Sequence, residues 1–172
     1  MNERRIWSLL LSCSVLGSVF SQDAQFTQFY STPTYISPAF AGTGLQTRFG
    51  LAVRDQWPAF PGAFVSTNFA ADHYVSEANS GLGLLVSHDK AGSGALRYTS
   101  ASFQYAYEIE LKRKVFLRPA LQIGYVNHAV DFTKLTFGDQ LARGGNVGTY
   151  EYLQGSSISY ADMAGGLLFF TP

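Results

Sequence analysis

Residues 81–109 constrain the fold more than any other stretch of the chain. The first limb, Gly81 to Asp89, puts Leu82, Leu84 and Val86 on one face. Gly83, Leu85, Ser87 and Asp89 fall on the other. Alternation with a period of two is the signature of an extended strand, because successive side chains leave the backbone in opposite directions. The turn, Asp89-Lys90-Ala91-Gly92-Ser93-Gly94, carries glycines that supply the positive φ of a hairpin turn. The second limb runs from Tyr98 to Ile109, with Ala101, Phe103, Tyr105, Tyr107 and Ile109 against Ser100, Ser102, Gln104, Ala106 and Glu108. One face is apolar and aromatic; the other is small and polar. Such a strand meets lipid or a core on one side and something wetter on the other.

Composition narrows the choice. Charged residues make up 14% of the chain, against about 25% in ordinary soluble domains. Aromatic residues make up 15%. This suits a β protein whose outside is not all water. The formal net charge is zero, so nothing attracts the chain to nucleic acid. The body of the chain has no apolar run of the ~20 residues that a transmembrane helix needs. A length of 172 residues is enough for one domain with a sizeable core.

Residues 1–21 read as a signal peptide. Arg4 and Arg5 form a basic start, Ile6 to Phe20 an apolar run, and Val19-Phe20-Ser21 a small-residue cleavage site, so the mature chain is expected to begin at Gln22. Leu10-Leu11-Ser12-Cys13 loosely resembles a lipoprotein processing site, but the apolar run continues past Cys13 through Val15, Leu16 and Val19. Cleavage after Ser21 removes the single cysteine, and with it disulfide and thiol chemistry. Residues 22–47 form an aromatic segment in which Pro33 and Pro38 argue against a regular strand. Phe26, Phe29, Tyr30, Tyr35 and Phe40 argue for order, and plugging or capping a barrel mouth would be one use for it.

Residues 48–172 read as strands. The first is Arg48–Arg54, with Phe49, Leu51 and Val53 on one face; the second is Ala63–Asp72. Between them lies a loop in which Trp57 and Phe60 read as interfacial or loop-packing aromatics. The hairpin supplies the third and fourth strands. The fifth, Val115–Tyr125, carries Pro119, which costs a ladder hydrogen bond and predicts a kink or bulge. A polar stretch runs from Asn127 to Gly155, and the last strand is Ser157–Phe170. With a periplasmic N-terminus, the loops at Asp55, Asp89 and Asn127 are external. The links at His73 and Lys112-Arg113-Lys114 are internal. The longest loop then lies outside and the tight basic turn inside, as in outer-membrane barrels.

Several segments carry a resemblance. They are Gln25–Tyr30, Pro38–Thr43, Arg54–Pro58, Asp72-His73-Tyr74, Gly81–Val86, Asp89–Gly92 and Leu135–Gln140, in that order. Together they resemble the PorP/SprF family of type IX secretion system membrane proteins. The resemblance implies an outer-membrane β-barrel of gliding or protein-secreting bacteria. It implies a role in the export or surface attachment of large secreted proteins, including adhesins. Its implied partners are those passengers, periplasmic secretion and motility components, and outer-membrane lipid. Members of the family are usually longer than this chain.

Catalysis finds little support. His73, His88 and His128 lie at strand ends without metal-ligand spacing. Asp131, Asp139 and Glu151 show no paired-acid pattern, and Ser156-Ser157 lacks the glycines of a nucleophile elbow. Gly81-Leu82-Gly83 continues into strand and is no dinucleotide turn. No catalytic, cofactor-binding or metal site is assigned, and no cofactor is expected.

The expected fold is all-β: an antiparallel transmembrane β-barrel, here an incomplete six-stranded N-terminal portion forming an open curved sheet. Known single-chain bacterial barrels begin at about eight strands, which predicts unpaired edges at Arg48–Arg54 and Ser157–Phe170. The chain is thus expected to be part of a longer protein or the product of an interrupted gene. The expected function is a scaffold for protein secretion with no chemical step. A passive porin-like or hydrophobic-solute channel and a secreted soluble β-sandwich remain open. The inward faces, with Gly50, Ala52, Ser100, Ser102 and Ala106, are expected to be small and weakly charged.

Overall fold

The computed structural model describes residues 29–59, 62, 64–92, 95–145, 148–150 and 156–171. The signal segment, residues 22–28, Phe60, Glu151 and Gly155 lie outside them. The alternating stretches form seven antiparallel strands: β1 (Arg48–Gln56), β2 (Phe64–Val75), β3 (Ser80–Ala91), β4 (Leu96–Tyr107), β5 (Ile109–Lys112), β6 (Val115–Val130) and β7 (Ser157–Phe170). Each pairs with its neighbour in one sheet, and no second sheet is present among the described residues. The soluble sandwich, which needs two facing sheets, therefore has no counterpart here.

The strand expected over Tyr98–Ile109 is divided into β4 and β5, which makes seven strands where six were expected. Both lie end to end on one edge of β6 in a common register, Ala106 opposite Ala120 and Ile109 opposite Leu117. The interruption covers Tyr107 and Glu108, opposite Pro119 and Arg118, and Pro119 has no N–H to give the ladder. The amide of Glu108 turns away and donates to the Asn79 carbonyl at 2.8 Å. On its other edge β6 pairs without a break with β7, Pro119 opposite Leu167. β6 also runs five residues beyond Tyr125, so the polar stretch begins at Asp131.

Among the described residues β1 and β7 each have a single strand neighbour, and the sheet is open at both. It is an incomplete barrel. Its outward face is the apolar one: Phe49, Phe103, Ile123, Met163 and Leu167 are all more than half exposed. On β6 the outward residues from Leu117 to Tyr125 extend ~27 Å along the strand. At a tilt of ~40° that crosses ~20 Å, near the ~25 Å apolar band of an outer-membrane barrel. No helix among the described residues is long and apolar enough to cross a membrane.

The core lies on the inward face. There residues 30–43 form a short helix, Pro33–Ile36, and a 3-10 turn, Pro38–Phe40, each opened by a proline. Thr32 lies where a side chain on Gly50 of β1 would meet it, while the turn packs on β4, β6 and β7 and the helix on β2 and β3. So short a segment reaches both edge strands only because the sheet curves around it.

Candidate functional site

Three inward side chains hold this inner segment, and all three bond its main chain. Gln104 Nε2 donates to the Thr34 carbonyl at 2.9 Å. Arg118 Nη2 donates to the Ala41 carbonyl at 2.5 Å. Asp72 Oδ2 accepts from the Gly42 amide at 2.9 Å. Strand register explains the assembly. Gln104, Arg118 and Asp72 come from β4, β6 and β2, and the alternation of each strand turns them inward.

The charges at this site are balanced. Arg48 forks onto both carboxylate oxygens of Asp72, at 2.8 and 3.1 Å. Arg118 pairs with Glu108 at 3.4 Å and lies 5.9 Å from the Tyr74 ring centroid. The Tyr74 hydroxyl donates to Glu108 at 3.4 Å. Arg118 is 1% exposed and Gln104 is fully buried. A buried guanidinium is tolerable only with such partners. The inner surface is therefore not weakly charged throughout: it carries an internally neutral cluster at the base of the inner segment.

Glycine makes the approach possible. A Cβ on Gly81 would run into the Ala41 carbonyl, and one on Gly83 would lie 3.2 Å from the Ala41 Cβ. Gly42 has φ 73° and abuts the Gly81 Cα, so Pro38–Thr43 rests on Gly81-Leu82-Gly83 and Asp72-His73-Tyr74. Three segments read separately along the chain meet here. Alternation alone puts Gln104 on the small, polar face without a task, and Arg118, beside Pro119, is turned to the same inner side. The available signal was their size and polarity on faces otherwise built from Gly, Ala and Ser.

The loop after β6 is tied down by two carboxylates. Asp131 accepts from the Thr133 hydroxyl at 2.6 Å and from its amide at 3.2 Å, and pairs with Arg97 at 3.2 Å. Its own amide donates to the Ala95 carbonyl at 2.7 Å, joining this loop to the β3–β4 turn. Asp139 sits in the first turn of the short helix Gly138–Ala142 and accepts from the Tyr150 amide at 2.8 Å, Thr149 Oγ1 at 3.0 Å and Arg143 Nη2 at 2.6 Å. The Tyr150 amide, Thr149 and Arg143 hold the Asp139 carboxyl below the usual carboxylate range. Arg143 lies 3.9 Å over the Tyr150 ring, which is 83% exposed. Trp57, in the loop between β1 and β2, meets Phe64 edge-on at 5.6 Å.

The histidines stay apart. His73 bonds Thr47 at 2.8 Å, His88 bonds Thr99 at 2.9 Å, and His128 bonds the Tyr160 hydroxyl at 3.2 Å. Among the described residues no three His, Cys, Asp or Glu converge as metal ligands.

A family model described as type IX secretion system membrane protein PorP/SprF matches residues 18–172. No curated protein and no solved structure gives a significant match.

Proposed function

The chain belongs to the PorP/SprF family of type IX secretion system membrane proteins, and from that premise we propose that it supports the export or surface attachment of large secreted proteins. It is an outer-membrane protein. The observation that carries the reading is the family match over residues 18–172, on a sheet whose outward face is an apolar band. Lipid meets that band. The mechanism is scaffolding, with no chemical step.

The external loop 131–156 holds or guides the passenger, an adhesin or another large secreted protein. Its Asp131 and Asp139 staples fix exposed Leu141 and Tyr150 in place, and an arginine-backed tyrosine is a common anchor at protein interfaces. Periplasmic secretion and motility components engage the opposite end, at the links after β2 and β5. A passive channel requires a water-lined interior, whereas here the inner segment, Gln104 and Arg118 occupy that side.

The test is deletion of the gene, followed by complementation with the wild-type protein or with Leu141→Asp and Tyr150→Asp. Passengers at the cell surface are measured against the amount of this protein in the outer membrane. Surface passenger should fall on deletion and stay low with the loop variants at unchanged membrane level. Normal surface delivery in the deletion strain would overturn the proposal.

A further inference from the structure

The contacts of the inner segment have a property its role as a filler does not require. Within the inner segment, Gln104, Arg118 and Asp72 bond main-chain atoms alone: two carbonyls and one amide. No side chain of residues 32–43 is needed for these bonds. The capacity is also not used up. Gln104 Oε1 and Arg118 Nε are buried and have no partner among the described residues, and the same holds for Asn68 Oδ1 on the same inward face. Gln104 thus donates to a carbonyl while its own carbonyl is left without an amide. An extended polypeptide offers both an N–H and a C=O, whereas the inner segment, turned into short helices, spends many of its own amides internally. The surrounding charges need no help from the segment, since Asp72 is neutralised by Arg48 and Arg118 by Glu108. Removing the segment leaves no unpaired charge behind.

We infer that the inward strip formed by Asp72, Gln104 and Arg118 is a binding site for polypeptide main chain, and that residues 34–42 occupy it at rest as a displaceable plug. Its ligand is an extended, unfolded stretch of protein with a small residue at the position of Gly42, where the floor of Gly81 leaves no room for a side chain. The inference deepens the secretion reading, because a passenger in transit presents such a stretch. The binding itself can be tested without any secretion assay, so the failure of one is distinguishable from the failure of the other.

The probe is a synthetic peptide copy of residues 32–43, Thr-Pro-Thr-Tyr-Ile-Ser-Pro-Ala-Phe-Ala-Gly-Thr. The full chain carries Ala39→Cys, which replaces a fully buried residue, and Cys13→Ser, so that only one thiol reacts. Maleimide labelling of the folded protein in lipid should be slow. Peptide at millimolar concentration, the range set by a tethered competitor, should speed it about tenfold. The same peptide N-methylated at the glycine matching Gly42 cannot donate to Asp72 and should leave the rate unchanged. Arg118→Gln should raise the rate without peptide by about tenfold, the loss of one charge-assisted hydrogen bond.

A second measurement does not depend on that variant folding. Gly50 has ordinary space for a Cβ, 3.5 Å from Thr32 Oγ1 and 3.8 Å from its Cγ2. A Thr32→Cys/Gly50→Cys pair, oxidised, should pin the plug and prevent retention of a fluorescent form of the peptide; reduction should restore it. No acceleration by peptide overturns the inference. So does equal acceleration by the N-methylated peptide, or equal retention by the crosslinked and reduced proteins.

Discussion

Replacing Gly81 by alanine tests the packing of the inner segment with one methyl group. The added Cβ would overlap the Ala41 carbonyl oxygen and come within 2.8 Å of Arg118 Nη2. Neither can step aside easily. Ala41 is followed by Gly42, which already abuts the Gly81 Cα, and Arg118 is held by Glu108. Overpacking of this kind costs about 1–3 kcal/mol. Pushing Ala41 off the strand also breaks its bond from Arg118, worth about 1.5–3 kcal/mol for a charged donor. The expected loss is about 3–5 kcal/mol. Gly165→Ala is the reference, because a Cβ there meets only the Ala120 carbonyl, at 3.9 Å. Both changes alter the freedom of the unfolded chain alike, so that contribution cancels in the comparison. Unfolding by urea in lipid, followed by Trp57 fluorescence, gives the difference between the two variants. A difference below about 1 kcal/mol, with Ala39→Cys still protected from maleimide, would refute the view that close backbone approach packs the segment.

Other outcomes follow from the same geometry. Phe103→Arg, in the middle of the outward band, should cost roughly 2–4 kcal/mol of insertion stability in vesicle refolding. Alternation alone predicts a clearly smaller cost for Ser102→Arg, but Ser102 is 8% exposed and faces the packed inner side, so its cost should be comparable. The depressed pKa of Asp139 means its staple is complete above the ordinary carboxylate range and is lost as pH falls through the depressed value. Protection of the Tyr150 amide against exchange, relative to an unstructured peptide, should therefore persist as pH falls through the ordinary carboxylate range and be lost only below it, while Asp139→Ala lacks that protection throughout. Mass spectrometry of the mature protein should find Gln22 as the first residue; an acylated Cys13 there would make the protein a lipoprotein.

Strands and their faces were legible because both depend on a period of two that needs no tertiary information. Leu84 and Phe103 are outward and Ser102 and Ala106 inward, as alternation requires. Boundaries were less legible. The break after Tyr107 falls where Pro119 lies opposite that residue across the ladder, a pairing that a single strand does not reveal. β6 continues through Asn127 and His128 because β4 and β7 offer partners on both sides, overriding the polar character of those residues. Pro38–Thr43 and Asp72-His73-Tyr74 pointed to the family but not to their meeting.

What the sequence determined by itself is therefore local and periodic: an all-β chain, its lipid-facing side, its turns, and its kinship with a secretion-system family. Each of these is written within a few neighbouring residues or in the order of short motifs. Tertiary structure alone decided what covers the inner face. Arg118 reaches Ala41, 77 positions away, and Gln104 reaches Thr34, 70 positions away. Such bonds join atoms by curvature of the sheet and register of six ladders, which no spacing along the chain encodes. An arginine beside a proline in a strand is, in sequence, only a costly residue. Once the sheet curls around the inner segment, it becomes the group that holds it.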